Sequence, residues 1–186
     1  MSGDVANPRI WENADVYVAP LATAAPTDTT TPLTSAWLTG ALGLLSEDDN
    51  LVEHRDEDST DHYAYGNILV RTQRSKHKRT FTVTALEDNP VVWGVVNPGS
   101  TATSATGTTT RVTKVPSANP KAWLIQTKDG GVTQRRIIKR GEVTAVDDVT
   151  FSDSDMTGYA LTITVYPDAN GVLYTDITDN PAAVVA

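Results

Sequence analysis

Between Thr80 and Leu86 the chain reads TFTVTAL, with Phe81, Val83 and Ala85 alternating with Thr80, Thr82 and Thr84. A period of two puts the apolar set on one face of an extended strand, whereas a helix would scatter the threonines around its axis. The pattern recurs. Ala14 to Ala19 alternates and stops at Pro20, Tyr63 to Thr72 places Ile68 and Val70 on one face, and Tyr159 to Tyr166 alternates again. Lys121–Thr127 and Val132–Ile138 flank the turn signal Lys128-Asp129-Gly130-Gly131, which predicts a hairpin. PDANG between Tyr159–Tyr166 and Val172–Asp176 predicts another. A short strand is expected at Arg111–Val115, and one more at Glu142–Phe151 with a bulge or turn at Asp147-Asp148. In EDNPVVWGVVNPG, Asn89 suits an N-cap and Pro90 a first helical turn, and Asn97-Pro98-Gly99 ends the element. A short helix with Trp93 against the sheet is therefore expected. The sum is an all-β fold, a sandwich or partial barrel of eight or nine strands, with one short helix.

The residues between the first two strands fit that scheme poorly. Residues 20–32 are a Thr/Pro-rich low-complexity loop, and GSTATSATGTT at 99–109 is a second. Leu33 to Leu45 carries Trp37, Leu38, Leu42, Leu44 and Leu45, too apolar for a free loop. It reads as irregular chain docked on a surface, with Trp37, Leu38, Leu44 and Leu45 as candidate docking residues. Glu47, Asp48, Asp49, Glu53, Asp56, Glu57, Asp58 and Asp61 follow, eight of the 23 carboxylates within fifteen positions. That composition predicts a solvated or partner-facing loop. A structureless excursion over 20–62 is improbable in a compact monomer, and is expected to be ordered by a neighbour.

Charge is distributed unevenly. The chain has 15 Lys+Arg, 23 Asp+Glu and a formal charge of −8. Yet Arg71, Arg74, Lys76, Lys78 and Arg79 crowd one stretch, and Arg135, Arg136, Lys139 and Arg140 another. An acidic chain argues against free-standing DNA binding, and no aromatic residue interleaves with either basic run. The opposing surface is expected to be the acidic loop of another copy, the alternatives being a solvated hairpin end or a DNA face.

No chemistry is spelled out. The 186 residues contain no cysteine, so no disulfide or thiolate site can form. His54 and His62 lie among carboxylates, but their spacing matches no metal motif. Asp56 to Asp61 opens like a calcium loop without the glycine at its sixth position. No nucleophile elbow or phosphate-binding loop occurs, and Asp153 and Asp155 sit in a polar turn. No catalytic residue, metal or cofactor is assigned. No apolar run is long enough to span a membrane, and the N-terminus lacks the pattern of a signal peptide.

The segments WENADVYVAP (11–20), AWLTGALGLLSED (36–48), GNILVRTQRSKHKRTFTVTALEDNPVVWGVVNPG (66–99) and DSDMTGYALTITVYPDANGVLYTDITDNPA (153–182) together resemble the major tail tube protein of long-tailed bacteriophages, with the flavour of those infecting actinobacteria. The resemblance implies a β-sandwich packed with one helix and subunits in hexameric rings stacked into a hollow tube. It implies a tape measure protein inside during assembly, with tail terminator and baseplate or distal tail proteins at the ends. DNA would pass through the lumen without specific binding. It implies that 20–62 is an inter-subunit arm region of a single 1–186 domain, without the C-terminal immunoglobulin-like domain of many relatives. Rival readings are a tail terminator or capsid decoration protein, a carbohydrate-binding or adhesin module presenting Trp37, and a hydrolase without a visible constellation.

Overall fold

Strand β3, Ile68–Ala85, is 18 residues long and organises the molecule. In the computed structural model, which describes residues 8–179, it is preceded by β1 (Asn13–Ala19), helix α1 (Ser35–Leu38) and β2 (Val52–Ala64). After it come α2 (Pro90–Val96), β4 (Thr101–Ala105), β5 (Thr108–Val112), β6 (Lys121–Asp129), β7 (Val132–Val146), β8 (Tyr159–Val165) and β9 (Thr175–Thr178). The principal sheet is antiparallel, in the order β1-β6-β7-β8-β3-β2, with β9 also on β7. Strands β4 and β5 form a separate hairpin. The fold is mostly β, as the alternation requires, and the sheet does not close into a barrel.

The apolar positions of the sequence supply the core. Phe81, Val83 and Ala85 of β3 pack with Leu161 and Ile163 of β8, Trp123 and Ile125 of β6, and Val16 of β1. Helix α2 closes this core with Val92 and Val95, which are buried. Asn89 caps it, its Oδ1 accepting from the amides of Val91 and Val92 at 2.9 Å. Trp93 itself is only half-buried, contrary to expectation. A helix this short turns positions 92 and 95 inward together, so 93 faces sideways. Trp93 instead lies under Arg111, whose guanidinium carbon is 5.6 Å from the ring centroid.

Several elements differ from the sequence reading. Residues 52–62 are strand, not loop, pairing with β3 from Val52↔Thr82 to Ala64↔Ile68. Neither face of most of this ribbon is buried, so no apolar alternation marked it. The turn signal is there: Gly66 and Asn67 carry φ of 89° and 60° between the two strands, values those residues tolerate best. Residues 101–112 form a hairpin where a loop and a shorter strand were expected. The final strand, β9, pairs with β7 rather than returning on β8. The turn at Asp168–Val172 does form, but the chain then passes β8 and continues beside β7. Helix α1 occupies part of the stretch read as irregular. Gly40 follows it because a Cβ there would fall 1.7 Å from the Val18 carbonyl oxygen. The closing run 180–186, whose sequence NPAAVVA suggests a short open tail, lies outside the described residues.

Candidate assembly surface

Strand β3 pairs with β8 only from Arg79 to Ala85. Beyond that, residues 68–78 have β2 as their sheet partner, and the two strands leave the domain as a ribbon. At ~3.4 Å per residue the ribbon is about 35 Å long. A lone two-stranded ribbon is marginal in water. Its end is apolar: Tyr65 is fully exposed, and Tyr63, Ile68, Leu69 and Val70 are each more than half exposed.

The turn folds the acidic run onto the basic run. Lys76 Nζ lies 2.6 Å from Asp58 Oδ2, Arg74 lies 3.6 Å from Glu57, and His77 Nδ1 lies 2.8 Å from Glu57. Part of the pairing expected between two copies is therefore made inside one. The pairs are exposed, and each contributes only ~0.2–1 kcal/mol. Lys76 and His77 together oppose Glu57 at a bulge, where Lys76 adopts a positive φ of 55°. Arg71 and Lys78 make no ion pair within the chain among the described residues.

The ribbon is rooted in a polar cluster. Glu53 of β2 accepts the Tyr174 hydroxyl at 2.9 Å and faces Arg136 at 3.1 Å, Arg55 at 3.2 Å and Arg79 at 3.7 Å. Burial pushes the Glu53 carboxyl up, but hydrogen bonds from Arg55 and Tyr174 and the charges of Arg136 and Arg55 outweigh it. Its pKa is held below the ordinary carboxylate value. Arg136 also forms a two-point contact with Asp176, 2.7 Å at each oxygen, and stacks on Tyr174 and Phe81 with centroid distances of 4.4 and 5.4 Å. The hydrogen bonds to Asp176 raise the Arg136 pKa against the effect of burial. The sequence presents Glu53 only as one member of an acidic run, and nothing in it marks Tyr174. Their partners lie 83 and 121 residues away, and no local pattern announces them.

Three other expected surface residues are elsewhere. Arg135 is buried, with its guanidinium donating to Gln126 Oε1 and to the carbonyls of Asp28 and Thr31 at 2.8–2.9 Å. Trp37, expected as an exposed docking residue, is 1% exposed and donates its indole N–H to the Ala24 carbonyl. Together they fasten the first part of the excursion onto the face formed by Ala19, Ala122, Leu124 and Ile137. Leu45 packs against the core, whereas Leu38 and Leu44 are exposed. Of the second basic run, Lys139 pairs with Asp168 at 2.9 Å and Arg140 stacks on Tyr166. Among the described residues no group of His, Asp and Glu is arranged to hold a metal. The surface offers a free strand edge, charge and an apolar tip.

Comparison with known proteins agrees. The family described as phage tail tube protein matches residues 1–186. A chain of the sheath–tube complex of an extracellular contractile injection system in its extended state superposes with a TM-score of 0.52 at 8% identity, covering 94% of this chain and 93% of that one. A chain of the sheath/tube terminator of such a system gives 0.50 at 10% identity, covering 95% and 100%. These two likenesses establish a shared fold. No curated protein sequence matches the chain.

Proposed function

The chain belongs to the phage tail tube protein family, and from that premise we propose that it polymerises through the β2–β3 ribbon into stacked hexameric rings that conduct DNA. It is a structural protein of the virion tail and not an enzyme. The observation carrying the polymerisation reading is the ribbon itself, about 35 Å of paired strand with an uncovered apolar end. Such an element gains its stability from a neighbour. The free outer edge of β2 gives a neighbour a place for strand addition, which would close the edges that a monomer leaves open. The region 20–62 then divides by role. Residues 20–38 are fixed to their own sheet, and the β2 half of the ribbon, with Tyr63 and Tyr65, reaches the next subunit. Leu38 and Leu44 are exposed apolar positions available to the same contacts. A tape measure protein inside, and terminator and distal tail proteins at the ends, complete the assembly. An overall acidic tube lets DNA pass without adhering.

Electron microscopy of concentrated purified protein tests the reading. Tubes of indefinite length built from six-fold rings are expected. Single rings that never stack would instead support a terminator. Persistent monomers at high concentration would reject both.

A further inference from the structure

One end of the sheet gathers nine carboxylates from three connections. The end is defined by the hydrogen bonds Ser46 N–H to Thr84 O, Leu86 N–H to Leu44 O and Asp147 N–H to Ala160 O. The pair Ala85↔Tyr159 lies there too, and the connection 147–158 joins β7 to β8 at the same end. Glu47, Asp48, Asp49, Glu87, Asp88, Asp147, Asp148, Asp153 and Asp155 therefore share one pole. Among the described residues the only cation paired with any of them is Arg111, which lies 2.8 Å from Asp88. Nine carboxylates against one cation leave −8, the formal charge of the entire chain; the other 14 carboxylates are matched by the other 14 cations. The ribbon leaves the sheet at the opposite end of β3. There Arg71 and Lys78 are without an ion pair in the chain, and Arg140 only stacks on Tyr166.

We propose that this acidic pole is the seat for the ribbon of a second copy of the chain, its carboxylates, Glu47, Asp48 and Asp49 among them, meeting Arg71 and Lys78 of that copy at separate points along the ribbon. The proposal rests on the tube reading and names its acceptor surface. Two poles brought together would oppose nine carboxylates with nine, so head-to-head pairing is excluded by repulsion. Pole to ribbon is the complementary arrangement, and it is heterologous: each copy offers one seat and one ribbon, so the contact propagates without closing on itself. Unbalanced charge at one end also keeps free subunits apart until a ribbon arrives. Lys76, Arg74 and Arg79 take no part, because their partners lie in their own chain.

The test uses the full chain in three forms: Glu47→Lys with Asp48→Lys and Asp49→Lys; Arg71→Glu with Lys78→Glu; and all five substitutions together. Near-ultraviolet circular dichroism establishes that each is folded, and light scattering with electron microscopy reads tube growth. Either reversal alone is expected to slow growth about tenfold or more, and the five-fold variant to recover it, since the complementarity is restored with signs exchanged. Tubes from the pole variant at the wild-type rate would overturn the proposal while leaving the tube reading intact. So would folded single reversals that fail to grow with no recovery in the five-fold variant. A wild-type protein that forms no tubes would overturn the tube reading and this inference together.

Discussion

Arg136 lies 3.1 Å from Glu53, joining β7 to the root of the ribbon across 83 residues of sequence. The same guanidinium holds Asp176 of β9 and covers the rings of Tyr174 and Phe81. One planar cation thus ties the ribbon to the body of the domain. Lysine could not replace it, having neither the fork nor the flat face.

Arg136→Ala should cost about 2–3 kcal/mol, below the range for a fully buried pair because the group retains some solvent contact. Arg136→Lys should recover less than half of that loss. Urea unfolding measures both. A loss within ~0.5 kcal/mol for alanine, the level of an ordinary surface site, would show that the cluster does not hold the ribbon.

The pH dependence has a definite sign. The Glu53 carboxyl is held below its ordinary value of 4.5 in the folded chain. Its contribution is therefore fully present above pH 4.5 and is lost as pH falls through the lower folded value. Glu53→Gln should be less stable than the wild type at pH 7, and the difference should shrink as the medium becomes more acidic than pH 4.5. A difference that grows on acidification would contradict this.

The tryptophans should behave in the reverse of the order read from the sequence. Trp37 is fully buried, so Trp37→Ala should cost ~3–5 kcal/mol and loosen residues 20–38. Trp93→Ala should cost about 1–2 kcal/mol, since only part of its area and the Arg111 contact are lost. Thermal or denaturant melts of the two variants decide the matter.

Hydrogen exchange should separate the two halves of the excursion. Residues 54–78 should exchange quickly in the free subunit and slowly in tubes, as the ribbon acquires its neighbour. Residues 23–38, fastened by Arg135 and Trp37, should be similarly protected in both states. Equal protection of the ribbon before and after assembly would remove its proposed role.

At the tip, Tyr65→Ser with Leu69→Ser replaces exposed apolar side chains and should leave the melting temperature of the free subunit within about 2 °C. Tube growth should fall sharply in the same variant. Growth at the wild-type rate would show that the tip is not a docking element.

The sequence by itself determined the strands whose one face is buried, because burial of alternate residues writes a period of two into the chain. Phe81, Val83, Ala85, Leu161 and Ile163 were legible for that reason. So was the α2 cap at Asn89, a local device of three residues. The β2 strand was not legible, since a ribbon exposed on both faces leaves its residue types free, and Glu53 to Asp61 spell loop as readily as strand. Nor could composition tell which cations were available. The basic runs were plain in the sequence, but only the fold shows Arg135 buried, Lys76 spent on Asp58, and Arg71 and Lys78 left over. A charge's partner depends on which distant strand stands beside it, and that follows from the sheet order. The same holds for the acidic pole, whose nine carboxylates come from three separate connections that only the tertiary structure gathers at one end.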